Sequence, residues 1–543
     1  MKRLLVGFAL LVVGSVTACE GGDGGAGEWT SLRLADQDEV PTLDPARGYD
    51  TASWQFEDLL FETLLDYDDN GLLVGEAAES WQVSDDQRTF TFRIRENRFS
   101  NGRVVIADDF VQAIQRLLDP ATQSPGRDFF LTIEGAPECQ SVHCGLSGVS
   151  TRGPDELIFR LARPDPLFLH KVALPFASAI PLEEALRLGP EFARTPTGSG
   201  PYRLRRWLPG QSLVLEPNPF YAGVQPPTLQ GIVRLTGVTD ELAWMKFLAG
   251  ELDFSTIPPA DYPLVRRNPR LAPLVHSITT LRTQYVGLNC SIPPFNNVLV
   301  RRALNYATDK EKLVRLLSGR AVAAVGVVPP NLPQYPERPP VYPYDPQRAK
   351  KLLEEAGYPH GFESTLWLRN DPTAMRIAQA LQQDWHNVGV RVRLRPLAWG
   401  VFLEAIREQG RVPMFLLGWE ADFPDASNFL DVLFHSRQIG SNNHVEYCNA
   451  LVDKLLDRAQ QVSNLAERTN LLQQAEAIVV AEAPWVFLVH PSTAAIVHSR
   501  VEGFRLHPWR PPRIGRVRLR SVTPAPPDVA QHGSLGASEK SVP

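Results

Sequence analysis

Strand-like and helix-like stretches alternate along the whole of this 543-residue chain, and that alternation limits what it can become. A single hydrophobic core stops growing at about 250–300 residues. A chain of this length therefore divides into two or three lobes, and strands alternating with helices make those lobes α/β in class. The segment Thr89 to Arg95 alternates with period two and puts Phe90, Phe92 and Ile94 on one face, as a half-buried strand requires. Asp108 and Asp109 cap an apolar-periodic helix over Phe110 to Leu118, which Asp119-Pro120 stops. Tyr202 to Trp207, Pro209-Gly210 and Ser212 to Leu215 read as a hairpin. Thr239 or Asp240 opens a helix through Leu248, and Asp345-Pro346 opens another that Gly357 closes. Met375 to Trp385 and Trp399 to Gln409 are helical in period, and Val390 to Leu394 and Met414 to Trp419 are strand-like. The Pro-rich stretch from Val328 to Pro346 reads as a long loop, and the chain after about Thr523 as a disordered tail.

The formal net charge of −6 argues against nucleic acid, which needs a basic face. Lys2 and Arg3, the apolar run from Leu4 to Val13 and the small residues after it make a secretory signal. Its junction, Val16-Thr17-Ala18-Cys19, resembles a bacterial lipobox, with Cys19 as the acylated first residue of the mature chain. The rival is an ordinary signal peptide with a chance cysteine. The glycine-rich tether Gly21 to Gly27 favours the lipobox, because it would let a domain float off a bilayer. In that oxidising setting Cys139 and Cys144, in one short polar loop, can close a local disulfide. A free pair, or a metal site with the neighbouring His143, is the alternative, but no second Cys/His pair of zinc-like spacing accompanies it. The pairing of Cys290 and Cys448 does not follow from sequence, and buried free thiols are the plain reading.

Several motifs then converge. Ala78 to Asp86, Phe99 to Arg103 with Ala107 to Phe110, and Gly198 to Leu204 with Leu215 to Asn218 resemble the first lobe of the oligopeptide- and dipeptide-binding proteins of ABC importers. Pro294 to Val298, Ala307 to Lys310, Ala349 to Tyr358, Gly418 to Asp425, and Ser441 to Asn443 before Tyr447 resemble the second. Each motif is weak alone; the ordered set, from about Glu28 to Leu519, is specific. The resemblance implies a two-lobed clamp of the type II periplasmic-binding-protein kind, with an extra subdomain in lobe I. Its expected divisions are a signal at 1–18, a tether at 19–28 and lobe I at 29–284 with an insert at about 70–190. Lobe II would follow at 285–488, a return to lobe I at 489–520 and the tail at 521–543. Chain crossings between lobes are expected near Tyr285 to Asn289 and near Val486 to His490.

The resemblance also implies a site. A receptor for many peptide sequences holds the ligand main chain by strand addition and fixes register with a carboxylate on the α-ammonium. Asp422 matches that acidic residue, with Phe423 in place of the family's tyrosine; a turn-capping role before Pro424 is the rival, and Asp425 could fill it equally. The backbone of Gly418 to Glu420 would pair with the peptide, and Trp419 and Trp399 would wall pockets. Arg407 resembles a basic residue offered to the peptide's far end, and Thr51 falls where lobe I supplies main-chain bonds, give or take a residue or two. Two departures stand out. Gly126 replaces an aromatic that can lean into the cleft, which widens the cleft on paper unless Phe129 or Phe130 substitutes. Arg282 and Glu420 occupy positions where some members carry cysteines, so an ion pair is expected there.

No Gly-x-Ser-x-Gly elbow, His-Glu-x-x-His motif or phosphate loop is present, so no enzyme, cofactor or metal is expected. The expectation is a monomeric, extracytoplasmic, lipid-anchored receptor that delivers peptides to a permease with separate ATPases. The same clamp taking a nickel chelate, an oligosaccharide or haem, or a peptide-signalling receptor, is the alternative.

Overall fold

The computed structural model describes residues 31–520, apart from positions 38, 334, 337, 338 and 463. The signal, Cys19 with its tether, and the tail at 521–543 lie outside the described residues.

Among the described residues the strands gather into three sheets and two short ladders. In the first sheet Ser31–Ala35 runs parallel to Gly231–Leu235, and Ser212–Pro217 and Tyr202–Leu208 follow antiparallel. The last two strands are the expected hairpin, and Gly210 turns it with a φ of 73°, a conformation that favours glycine. The second sheet, Ala78–Val83, Thr89–Ile94, Glu156–Arg160 and Val149–Thr151, is antiparallel. Phe90, Phe92 and Ile94 bury the face that their alternation predicts. Helix Ala107–Leu118 covers this sheet and begins three residues earlier than expected. Asp109 does not cap it from in front. Its carboxylate reaches back from the first turn to the Ile106 N–H at 2.8 Å and also accepts from Arg103.

The third sheet is the largest and mixes parallel and antiparallel strands. Glu363–Arg369, Arg391–Leu397 and Met414–Glu420 run parallel, joined by helices Pro372–His386 and Trp399–Arg407. Arg282–Leu288 lies antiparallel to Met414–Glu420 on its other side. The 13-residue strand Trp485–Val497 comes next. Its first half pairs with Arg282–Leu288, and its second half with Val275–Thr279 and Phe254–Thr256. One strand therefore serves both sides of the hinge. Two apolar layers sandwich the third sheet, one containing Trp367, Phe415 and Trp485, the other Leu366, Leu416 and Trp385. Where the shared strand begins, the Trp485 ring lies flat on Tyr285, 3.4 Å between centroids and 4° between planes. Both rings are buried, and Phe434 closes the stack at 4.7 Å.

Cys139 and Cys144 are joined by a disulfide. Cys290 and Cys448 are free; Cys290 is half-buried, but Cys448 is exposed, contrary to the expectation of two buried thiols, because it lies in the loop before helix Ala450–Ala459. No described helix is long and apolar enough to cross a membrane.

Removing the large ring at the start of the shared strand leaves a cavity that the sheet cannot collapse into. Trp485→Ala should cost about 3–5 kcal/mol in chemical denaturation; a loss below about 1 kcal/mol would contradict this packing account.

Candidate functional site

The strand Met414–Glu420 outruns one of its neighbours. Glu363–Arg369 pairs with it only from Met414 to Leu416, whereas Arg282–Leu288 accompanies it to Glu420. Over Gly418 to Glu420 the edge on the Glu363–Arg369 side therefore has no strand partner among the described residues. A free edge of this kind is a template for another strand. It lies at the carboxyl ends of parallel strands, where open α/β sheets hold ligands.

Asp422 stands just past that edge. Its Oδ1 accepts the Tyr49 hydroxyl at 2.9 Å and its Oδ2 accepts the Asn428 amide at 3.1 Å. Asn428 also accepts the Asp422 N–H and the Trp419 indole N–H, both through its Oδ1, so it orients three groups at once. Asp422 forms no ion pair among the described residues. Burial pushes its carboxyl up, and the bonds from Asn428 and Tyr49 only partly offset that. Asp425, three residues on, contrasts with it. Arg468 grips Asp425 with two bonds of 2.6 and 2.8 Å, and Ser427 donates from both its N–H and its hydroxyl. Although burial opposes it, Arg468 holds the Asp425 carboxyl far below the usual range. The turn-capping role thus falls to Asp425.

Tyr49 arrives from the first lobe, just ahead of helix Thr51–Leu60. Its ring packs on Trp54 at 5.7 Å, Phe176 at 5.5 Å and Phe129 at 6.3 Å. The position above Gly126 is filled: a Cβ there would lie 2.5 Å from the Phe176 ring. Gly126 therefore makes room for Phe176 and does not widen the cleft. Phe129 stacks on that ring, whereas Phe130 is buried in the core. A second contact between the lobes stands nearby. His170 stacks on Phe423 at 5.8 Å, and its Nδ1 lies 2.9 Å from the Tyr67 hydroxyl.

The sequence-derived residues do not all meet. Gly418, Trp419, Glu420 and Asp422 are contiguous at the open edge. Trp399 begins the helix that follows Leu397 and is 44% exposed, with the guanidinium of Arg369, the last residue of Glu363–Arg369, 5.5 Å from its ring. Arg407 is exposed at the other end of that helix, about 12 Å along its axis. Thr51 is exposed on the first helical turn, and Tyr49, two residues earlier, is the one that touches the second lobe. Arg282 and Glu420 face each other in register but form no ion pair. The Arg282 guanidinium leans instead over Gly418, where a missing side chain leaves space. Tyr49 and Asn428 carry no motif of their own; only the fold brings them to Asp422. No described cluster of His, Cys, Asp and Glu could hold a metal ion.

Residues 73–441 match the model of "Bacterial extracellular solute-binding proteins, family 5 Middle". The chain belongs to this family. It is 30% identical over 487 residues to the "Probable di/tripeptide-binding protein 5" of Pseudomonas aeruginosa (strain UCBPP-PA14), covering 85% of this chain and 90% of that protein. It is 31% identical over 456 residues to the "Heme-binding protein A" of Haemophilus influenzae, covering 80% and 81%. The solved structure of "Clavulanic acid biosynthesis oligopeptide binding protein 2" superposes with a TM-score of 0.83 at 28% identity, over 90% of this chain and 95% of that one. Family membership makes this an extracytoplasmic solute-binding protein, not an enzyme, and its neighbours confirm the two-lobed clamp.

Burial pushes His170, His444 and His490 down to about 4. An unfolded histidine titrates near 6.5. Between those values the unfolded chain binds more protons, so stability is full above about pH 6.5 and falls as pH drops through the window. At His170, Asp425 and Asp165 favour the proton while Arg468 opposes it. His170→Gln should flatten the fall in melting temperature between pH 6.5 and 4; a slope equal to the parent's would contradict this assignment.

Proposed function

We propose that this chain captures peptides between its lobes and delivers them to the permease of an ABC-type importer. The observation that carries the reading is Asp422: a half-buried carboxylate with no ion pair among the described residues, at the end of a strand edge that has no strand partner among them. A peptide fits both needs at once. Its main chain adds to the edge at Gly418 to Glu420, and its α-ammonium supplies the charge that Tyr49 and Asn428 cannot. Trp419 and Trp399 flank the gap as pocket walls, and roomy walls with main-chain recognition suit many side chains. Arg407 and Thr51 are not used in this reading: both are exposed, and neither bonds to Asp422 among the described residues. The names of the Pseudomonas relative and the clavulanic-acid neighbour support a peptide.

On this reading residues 29–284 and 489–520 form the first lobe, with an insert at about 70–190, and 285–488 form the second. Ligand favours closure only through the extra contacts it makes in the closed state. The protein works as a monomer on a lipid anchor at Cys19, since acyl chains gain about 0.8 kcal/mol per buried methylene.

Loss of one partner from a buried charge pair costs about 3–5 kcal/mol, or about two to three and a half decades of affinity. Asp422→Asn should therefore weaken free-N-terminus peptides about 100- to 4,000-fold in titration calorimetry and change N-acetylated ones little. Equal losses would reject Asp422 as the ammonium partner. Cys19→Ser should move the protein from the membrane fraction to the soluble one; retention in the membrane fraction would contradict the anchor.

A further inference from the structure

A cavity of about 510 Å³ has none of Gly418 to Asp422 in its lining. Helix Thr51–Leu60, strands Leu65–Tyr67 and Leu73–Gly75, and the segment 510–518 enclose it. Its volume suits a small molecule.

Its charge is unusual. Asp66 accepts from Arg510 and Arg513 at 2.6 Å and from Arg516 at 2.7 Å. Arg510 also pairs with Asp58. Arg518 lines the cavity too, is exposed, and has no ion pair among the described residues. Four guanidinium groups thus face three lining aspartates, Asp58, Asp66 and Asp68. Asp68 is engaged by the N–H groups of Asn70 and Leu72 in its own turn. Glu57 and Glu76 also line the cavity, but burial drives both carboxyls towards the neutral acid. The crowding shows in the titration of the cluster. Burial, together with Arg510 and Arg516, pushes Arg513 down to about 10 in spite of Asp66. The three arginines hold Asp66 down at about 2 although burial opposes them.

Several arginine donors also lack an acceptor, although Glu57 Oε1 and Oε2 in the same lining lack a donor. Arg513 bonds through Nη2 alone, and its Nε and Nη1 have no acceptor. The Arg516 side chain likewise bonds only through Nη2, and 34% of it is open to solvent. An oxyanion supplies acceptors for these unpartnered guanidinium donors, and guanidinium groups match carboxylate and phosphate geometry. We propose that this cavity is a binding site for a small oxyanion, a carboxylate or phosphate group, held by Arg513, Arg516 and Arg518 and separate from the cleft between the lobes. The competing view is a purely structural staple, in which the arginines only pin the segment 510–518 to Asp66.

Inorganic phosphate and acetate, titrated separately into the full-length protein at low ionic strength, distinguish the two. The proposal expects saturable one-to-one binding of at least one anion by calorimetry. Arg516→Gln and, independently, Arg518→Gln should each weaken it about tenfold, the loss of one charge-assisted contact. Arg518 makes no ion pair, so Arg518→Gln tests the site without disturbing the network on Asp66. Saturation by neither anion, or binding by Arg518→Gln equal to the parent's, would overturn the proposal.

Discussion

Both sides of the hinge depend on one strand, Trp485–Val497. Its hydrogen bonds are shared between Arg282–Leu288 on the second-lobe side and Val275–Thr279 with Phe254–Thr256 on the other. A strand has side-chain period two, so a slip of one residue at either end would turn every core residue to the wrong face. The Tyr285–Trp485 stack pins the register where the pairing begins. Arg282–Leu288 in turn positions Met414–Glu420, and the tip of that strand presents Gly418 to Asp422 to the first lobe. The position of the candidate site is thus a consequence of sheet geometry two strands away.

Two aspartates three residues apart differ in how their charge is answered. Asp425 has a guanidinium and two Ser427 donors, and its charge is fully answered. Among the described residues the Asp422 carboxylate is bonded by a phenol and an amide, both neutral. A buried or half-buried charge without a counter-charge is costly, and such a site is one that a cationic group can fill. Its phenol comes from the other lobe, so Asp422 also marks where the lobes meet. The neighbouring Phe423–His170 stack makes the same meeting point apolar.

Much of the fold was legible in the chain. Thr89–Ile94, the hairpin at Gly210, and the helices capped by Thr239 and Asp345 follow from short-range periodicity and end-capping chemistry, which act within a few residues. Asp109 shows the limit: its carboxylate caps from the third helical position, an arrangement that spacing alone does not distinguish from capping in front. At the site, Gly418 to Asp422 could be read because they are contiguous. Tyr49 and Asn428 could not, because they reach Asp422 only through packing between lobes and a turn within one. The same reason defeated Gly126 and the Arg282–Glu420 pair. Phe176 fills the first from 50 residues away, and the guanidinium of the second prefers the open surface over Gly418.

The central claim is that the cleft was built for a main chain with a free ammonium. Native mass spectrometry of the protein purified from cells, without refolding, reads its occupant directly. The account predicts a set of co-purified masses that fragment as peptides with free N-termini. A uniform non-peptide mass, such as a haem, a sugar or a metal chelate, would contradict it.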